Sequence, residues 1–171
     1  LRELLQSLLI SIRRLQAIQR AISTTIFVID NSTSESDLNL VCVEQQELLK
    51  VEKIKIRYVG GHGNIGYGAA QNLAIASTNS DLHLILNPDV KVEAGALEES
   101  IKVFNSNPSV ALLSPRAEND KGEKQHLCKR FPSVLTLLVR GFMPKYLQGL
   151  FKIRLGHYEM REIPEVGVTE D

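Results

Sequence analysis

Cysteine is scarce in this chain, with only Cys42 and Cys128 among 171 residues. Neither has a CxxC or Cys/His neighbour at ligand spacing. A disulfide framework or a zinc site is therefore not expected, and the pair reads as reduced thiols of a cytosolic protein. Net charge is also missing, because 20 Lys and Arg balance 20 Asp and Glu. A neutral chain has no general attraction for nucleic acid, so nucleic acid is not an expected partner and any basic surface must be local. No run of about 18 apolar residues is present to span a bilayer, and no cleavable signal pattern is visible. Internal repeats and low-complexity tracts are absent. There is no initiator Met and the first residues already carry a helical pattern, so the chain is expected to be a fragment.

What is present is an ordinary globular composition, 43% hydrophobic and 23% charged, enough to bury one core. Leu1, Leu4, Leu5, Leu8, Leu9, Ile12 and Leu15 recur at helical spacing and predict an amphipathic helix. Ile26 to Ile29 is a compact β-branched and aromatic run closed by Asp30-Asn31-Ser32, which predicts a buried strand and a polar loop. A second helix is expected over Ser36 to Leu49. Ile54, Ile56 and Tyr58 alternate with Lys55 and Arg57, as in a strand with one wetter face. A Gly-rich segment, Gly60 to Gly68, opens a helix to about Thr78. Another helical pattern covers Ala94 to Asn105, and Val110 to Leu113 reads as a short strand. Strands alternating with helices imply an α/β fold, a Rossmann-like, mostly parallel twisted sheet flanked by helices.

The stretch Leu82 to Val90 ends an apolar run in Asn87-Pro88-Asp89. It reads as a buried strand delivering the Asp89 carboxylate to the sheet edge, since Pro88 cannot donate to a ladder and stops the strand. Ligands of α/β proteins bind at that edge. An oxygen ligand there suits Mg²⁺, commonly held by one or two carboxylates plus the substrate's phosphates. The plainer alternative is a turn, because all three residues favour turns.

Gly61-His62-Gly63-Asn64-Ile65-Gly66 is a literal match to the dinucleotide fingerprint, after a strand and before a helix. In that fold the acidic residue on the ribose sits at the tip of the next strand, about 20 residues on. Asp81, at that distance, lies ahead of the strand instead. A nicotinamide-dependent oxidoreductase thus remains an alternative with the wrong placement. His62, His83, His126 and His157 have no ligand spacing. His83, between Leu82 and Leu84, reads as an interior or sheet-face histidine, and His62 as part of a solvated loop.

Beyond Ser114 the texture changes. Asp120-Lys121-Gly122 signals a turn between two short edge strands. From Lys121 to Arg154 the chain carries eight Lys and Arg against the single Glu123, interleaved with Val134, Leu135, Leu137, Leu138, Val139 and Phe142. Such a stretch can lie in a membrane interface and be drawn to anionic lipid. A core helix with a solvated basic rim accounts for it equally well.

Three segments in order, Ile26-Phe27-Val28-Ile29-Asp30-Asn31-Ser32, Asn64-Ile65-Gly66-Tyr67-Gly68-Ala69-Ala70-Gln71-Asn72 and Leu86-Asn87-Pro88-Asp89-Val90, resemble the nucleotide-binding half of the family 2 glycosyltransferases, in the branch containing bacterial rhamnosyltransferases. Lys129-Arg130-Phe131-Pro132-Ser133 and His157-Tyr158-Glu159-Met160-Arg161 resemble linker segments of that branch. The resemblance implies the A-type glycosyltransferase fold, with residues 1–114 as the nucleotide-sugar-binding half and 115–171 as the start of an acceptor-side region of the same domain. It implies that Asp30 contacts the base or ribose of the donor, with Asn31 beside it. Asn64, Gly66 and Asn72 then belong to the segment that packs by the donor, and Asn87 and Asp89 to the metal motif. Asp89 is the implied ligand of Mg²⁺ or Mn²⁺. The implied reaction transfers rhamnose or a similar hexose to a saccharide or lipid-linked acceptor for cell-surface polysaccharide, and the expected location is cytoplasmic, with peripheral contact to the inner membrane as a further expectation.

Two departures from the family pattern set further expectations. Members begin with a strand ahead of the first helix, and this chain starts inside that helix, so one wall of the base pocket is expected to be absent. Members also carry a downstream Glu-Asp containing the general base. Glu170-Asp171 repeats only the dipeptide, so the catalytic base is not assigned. A non-catalytic nucleotide-sugar-binding module is therefore the rival expectation, and the chain as given is expected to bind a donor without transferring sugar.

Overall fold

The computed structural model describes residues 1–33, 37–49, 53–125, 129–144 and 149–160. His126, Cys128, Glu170 and Asp171 lie outside the described residues. The chain forms two compact units, Leu1–Glu99 and Ser100–Asp171. The boundary falls ahead of the change in texture at Ser114.

In the first unit, helix α1 (Arg2–Ile18) buries Leu4, Leu5, Leu8, Leu9, Ile12 and Leu15, the stripe its 3.6-residue period lays on one face. Strand β1 (Thr24–Ile29) pairs in parallel with β2 (Ile54–Val59), Ile26 opposite Ile56 and Val28 opposite Tyr58. Helix α2 (Leu38–Leu48) connects them. A parallel pair needs cover on its faces. The core accordingly joins Leu8, Leu9 and Ile12 of α1 to Val28, Ile54 and Ile56 of the strands, with Cys42 of α2 and Leu49 after it. Burial pushes the Cys42 thiol pKa up, so this cysteine packs as a small protonated hydrophobe. Gln46 of α2 accepts the Ile56 N–H through its side chain, satisfying a backbone donor outside the β1–β2 ladder.

Two serines inside the apolar stripe of α1 reach the later chain. Ser7 Oγ donates to the Leu4 carbonyl and accepts the Val92 N–H at 3.0 Å, and Ser11 Oγ accepts the Leu97 N–H. The Arg14 Nε to Glu98 Oε2 pair, 3.1 Å, adds a third tie. These bonds fasten the segment that follows Asp89 to the first helix. Helix α3 (Tyr67–Ala76) buries Ala70, and helix α4 is Ala96–Ser106.

The structure corrects two sequence expectations. Residues Leu82 to Leu86 form no strand, and Leu82, Leu84 and Ile85 are each about half exposed. Only Leu86 of that run packs against the core. Val110 to Leu113 is also without regular structure, with Leu112 largely exposed. The reason is shared: a strand exists only through a ladder partner. Among the described residues the first unit's sheet has two strands, neither paired with these runs. His83 is consequently exposed rather than interior, with Ser80 Oγ 3.4 Å from its Nε2.

In the second unit, β3 (Ala117–Glu118) and β4 (Lys124–Gln125) form the expected antiparallel hairpin. Gly122 takes φ 74° in its turn, and Asn119 Oδ1 accepts the Lys121 and Glu123 N–H groups. Helix α5 (Val134–Phe142) starts at Ser133, whose hydroxyl caps the Thr136 N–H at 3.2 Å. A 3-10 turn, Gly149–Phe151, leads into α6 (Lys152–Tyr158). No helix among the described residues is long and apolar enough to cross a membrane.

Ile12 is 1% exposed at the centre of the first core. Ile12→Ala is expected to lower unfolding stability by about 2–5 kcal/mol, read as a fall in the denaturant midpoint.

Candidate functional site

The C-terminal ends of β1 and β2 are where a parallel sheet presents loops to ligands. The ladder runs one residue past β1, the Asp30 N–H donating to the Val59 carbonyl at 2.8 Å. This delivers the Asp30 side chain to the strand tips, where it is 6% exposed. Its Oδ1 accepts the Ser32 N–H at 3.0 Å, and its Oδ2 accepts the Tyr58 hydroxyl at 2.9 Å. These two bonds orient the carboxylate at the strand tips.

Asn31, the next residue, reaches across to the Gly-rich segment. Its Nδ2 donates to Asn64 Oδ1 at 3.1 Å, and its Oδ1 accepts the Ile65 N–H at 3.0 Å. Asn64 Oδ1 also accepts the Gly66 N–H at 3.0 Å. The segment can make this turn because Gly61, Gly63 and Gly66 hold φ of 83°, 66° and 88°. Gly66 is the N-cap of α3 with ψ 154°, a backbone region essentially reserved for glycine. The next residue, Tyr67, donates its hydroxyl to Asn87 Oδ1 at 3.2 Å. One chain of hydrogen bonds and covalent neighbours thus runs from the β1 tip through the Gly-rich loop and the start of α3 to Asn87.

This chain brings together Asp30, Asn31, Asn64, Gly66 and Asn87 of the site residues read from the sequence. Asn72 and Asp89 stand outside it. Asn72 is exposed on α3, two residues and so roughly 160° around the helix from buried Ala70. Asp89 is exposed two residues beyond Asn87.

Three contributors are not legible in the sequence pattern. Tyr58 reads there only as one more strand residue. The parallel register sets it opposite Val28, within hydroxyl reach of Asp30. Gly60 lies against the Tyr58 ring so closely that a Cβ would overlap it. His62 is half-buried rather than solvated, with Nδ1 2.7 Å from the Gly63 carbonyl and Nε2 buried without a partner. The signal for Tyr58 was the shared C-terminal edge of two parallel strands, each ending next to a loop residue of the site.

The arrangement also separates the Gly-rich loop from a dinucleotide fingerprint. There the loop lets backbone approach a pyrophosphate directly. Here the Ile65 and Gly66 N–H groups are committed to the Asn31 and Asn64 side chains.

For a divalent cation the chain offers a limited donor set. No group of three His, Cys, Asp or Glu side chains able to hold a metal occurs among the described residues. The exposed Asp89 carboxylate, two residues after Asn87, is nevertheless an oxygen donor suited to a hard cation that takes most of its remaining oxygens from water and phosphate.

Compared with known proteins, the chain matches a family model described as Glycosyl transferase family 2 over residues 2–163. No curated protein and no solved structure was found to match it.

Two substitutions test this geometry. Tyr58→Phe leaves the buried Asp30 carboxylate short of one donor and is expected to cost about 1–3 kcal/mol, measured by chemical unfolding. Gly66→Ala meets no neighbouring atom but forces alanine to the glycine-only φ. A comparable loss of about 1–3 kcal/mol is expected in the same assay.

Proposed function

This chain belongs to glycosyltransferase family 2, and we propose that the Asp30 to Asn87 edge binds the nucleoside diphosphate of a sugar donor, with Mg²⁺ or Mn²⁺ on Asp89. The family carries the A-type glycosyltransferase fold, α/β with a parallel sheet flanked by helices, and its activity is glycosyl transfer from a nucleotide-sugar donor to an acceptor. The finer reading is transfer of rhamnose or a similar hexose, with inversion, to a saccharide or lipid-linked acceptor in cell-surface polysaccharide synthesis. Its place is the cytoplasmic side of the inner membrane.

The observation that carries this reading is the set of hydrogen bonds at adjoining residues, Tyr58 to Asp30, Asn31 to Asn64 and Ile65, Asn64 to Gly66, and Tyr67 to Asn87, which gathers three loops at one edge. Asp30, already oriented by Tyr58 and Ser32, accepts a hydrogen bond from the base or ribose. Asn31 and Asn64 fix the Gly-rich loop against the strand tip, so the loop need not reorganise when the donor arrives. Asn72 supplies a further amide from α3. Tyr67 holds the Asn87 side chain and with it the turn that carries Asp89. The cation supplies charge neutralisation of the diphosphate leaving group. The proton of the acceptor hydroxyl needs a positioned base, and no residue is assigned to that role.

Calorimetry with UDP and dTDP, each with and without Mn²⁺, tests the reading. Metal-dependent nucleotide binding is expected. Asp89→Ala should remove the metal-dependent part and change unfolding stability by no more than about 0.5 kcal/mol, since an exposed carboxylate away from packing contributes little. Binding of NAD with no metal dependence would overturn the transferase site in favour of the dinucleotide alternative.

A further inference from the structure

From residue 124 to residue 158 the chain contains no Asp or Glu, while Lys124, Lys129, Arg130, Arg140, Lys145, Lys152 and Arg154 all fall within it. The described part of this stretch folds into a braced pair of helices. The Arg130 N–H donates to the Tyr158 carbonyl at 2.9 Å, and its guanidinium donates to the His157 carbonyl at 3.0 Å. Arg154 Nη2 donates to Ser133 Oγ at 2.9 Å, and the Arg140 guanidinium lies 5.7 Å from the Tyr158 ring centre. The arginines therefore hold α5 to α6 while keeping positive charge at the surface.

The apolar residues are arranged the opposite way from a helix in a soluble core. On α5 only Thr136 and Val139 are buried. Val134, Leu138 and Phe142, spaced i, i+4 and i+8, form an exposed stripe, with Phe142 85% exposed. Phe131 is fully exposed, and Leu150 and Ile153 are 80% and 91% exposed. Phe131, Leu150 and Ile153 also line a groove of about 690 Å³ together with Arg130 and Arg154. Exposed apolar side chains gathered this densely on one helix pair mark an interaction surface.

We propose that the α5–α6 pair docks on an anionic lipid bilayer, inserting the Phe131, Val134, Leu138, Phe142 and Ile153 side chains at the headgroup boundary while the Lys and Arg side chains meet the lipid phosphates. Charge complementarity selects this occupant. Apolar wedges alone fit any greasy partner, but wedges on a stretch with seven Lys and Arg and no Asp or Glu match a surface that is apolar inside and anionic outside. Each Lys or Arg near such a surface contributes about a fivefold gain in partition. Lys and Arg side chains also suit the position sterically, extending apolar stems into the boundary with charged heads in water. The surface lies wholly in the second unit, and the inference stands independently of the donor site.

Vesicle sedimentation of the full 171-residue chain tests it. Binding is expected to vesicles of phosphatidylcholine mixed with phosphatidylglycerol and not to phosphatidylcholine alone, falling at least about tenfold from low to half-molar salt as the attraction is screened. Phe142→Asp with Leu138→Asp should reduce binding at least about tenfold. Lys129→Glu with Lys152→Glu, at two exposed positions, should do the same through charge alone. The chain has no tryptophan, so Phe142→Trp gives a single reporter, whose emission is expected to shift to the blue on anionic vesicles only. Equal binding to neutral vesicles, absence of binding to either kind, or a folded Lys129→Glu/Lys152→Glu variant that binds as before would overturn the proposal. So would a dimer by light scattering that is split by Leu138→Asp, because the stripe would then face a second copy.

Discussion

The first unit depends on one constraint: a parallel pair of strands is unstable unless both its faces and its edges are managed. Two strands alone do not bury enough surface to persist in water. The apolar face of α1 supplies the cover, through Leu8, Leu9 and Ile12 against Val28, Ile54 and Ile56. The same helix uses its two small polar residues, Ser7 and Ser11, to hold the backbone at Val92 and Leu97. Larger side chains at those positions would fill the space and leave those N–H groups without their acceptors, a loss of about 1–3 kcal/mol for each buried donor. Core packing and placement of the Asp89 turn are thus carried by one face of one helix.

The site inherits its rigidity from that arrangement. Its residues come from three loops far apart in sequence, and side-chain amides rather than backbone pairing join them. Asn31 and Asn64 each make more than one bond, so the loop after β1 and the loop before α3 cannot move separately without losing several contacts. On the proposed reading a donor at this edge meets groups already aimed, which is how a small site reduces the entropy lost on binding. The same commitment of the Ile65 and Gly66 N–H groups gives the glycines a different task from the one their spacing suggests. They permit a tight turn held by asparagines, and their positive φ values rather than an exposed row of amides are what the loop requires.

Charge divides the chain in a way its zero total conceals. An acid-free stretch of 35 residues occupies the second unit, so the acids that balance it lie elsewhere. Screening confines exposed charge to about 8–10 Å, so a surface close to this stretch responds to its local charge more than to the zero total.

Local pattern was sufficient for much of this. The periods of α1 and α4, the β-branched runs of β1 and β2, the glycines ahead of α3 and the Asp120-Lys121-Gly122 turn each fix a structure from neighbouring residues alone, and Asp30 follows from its place at the end of β1. Asn31, Asn64 and Gly66 were singled out by the resemblance to the family pattern rather than by local pattern, and the structure joins their side chains and backbone by hydrogen bonds. What only the tertiary structure decided is whatever needs a distant partner. The run from Leu82 to Leu86 has the composition of a strand, but a strand is a relation between two segments, and among the described residues no ladder reaches it. The bonds from Tyr58 to Asp30 and from Tyr67 to Asn87 span 28 and 20 residues. The parallel register and the packing of α3 against β1 determine whether such hydroxyls meet an acceptor or water, and neither is encoded in the residues that flank them.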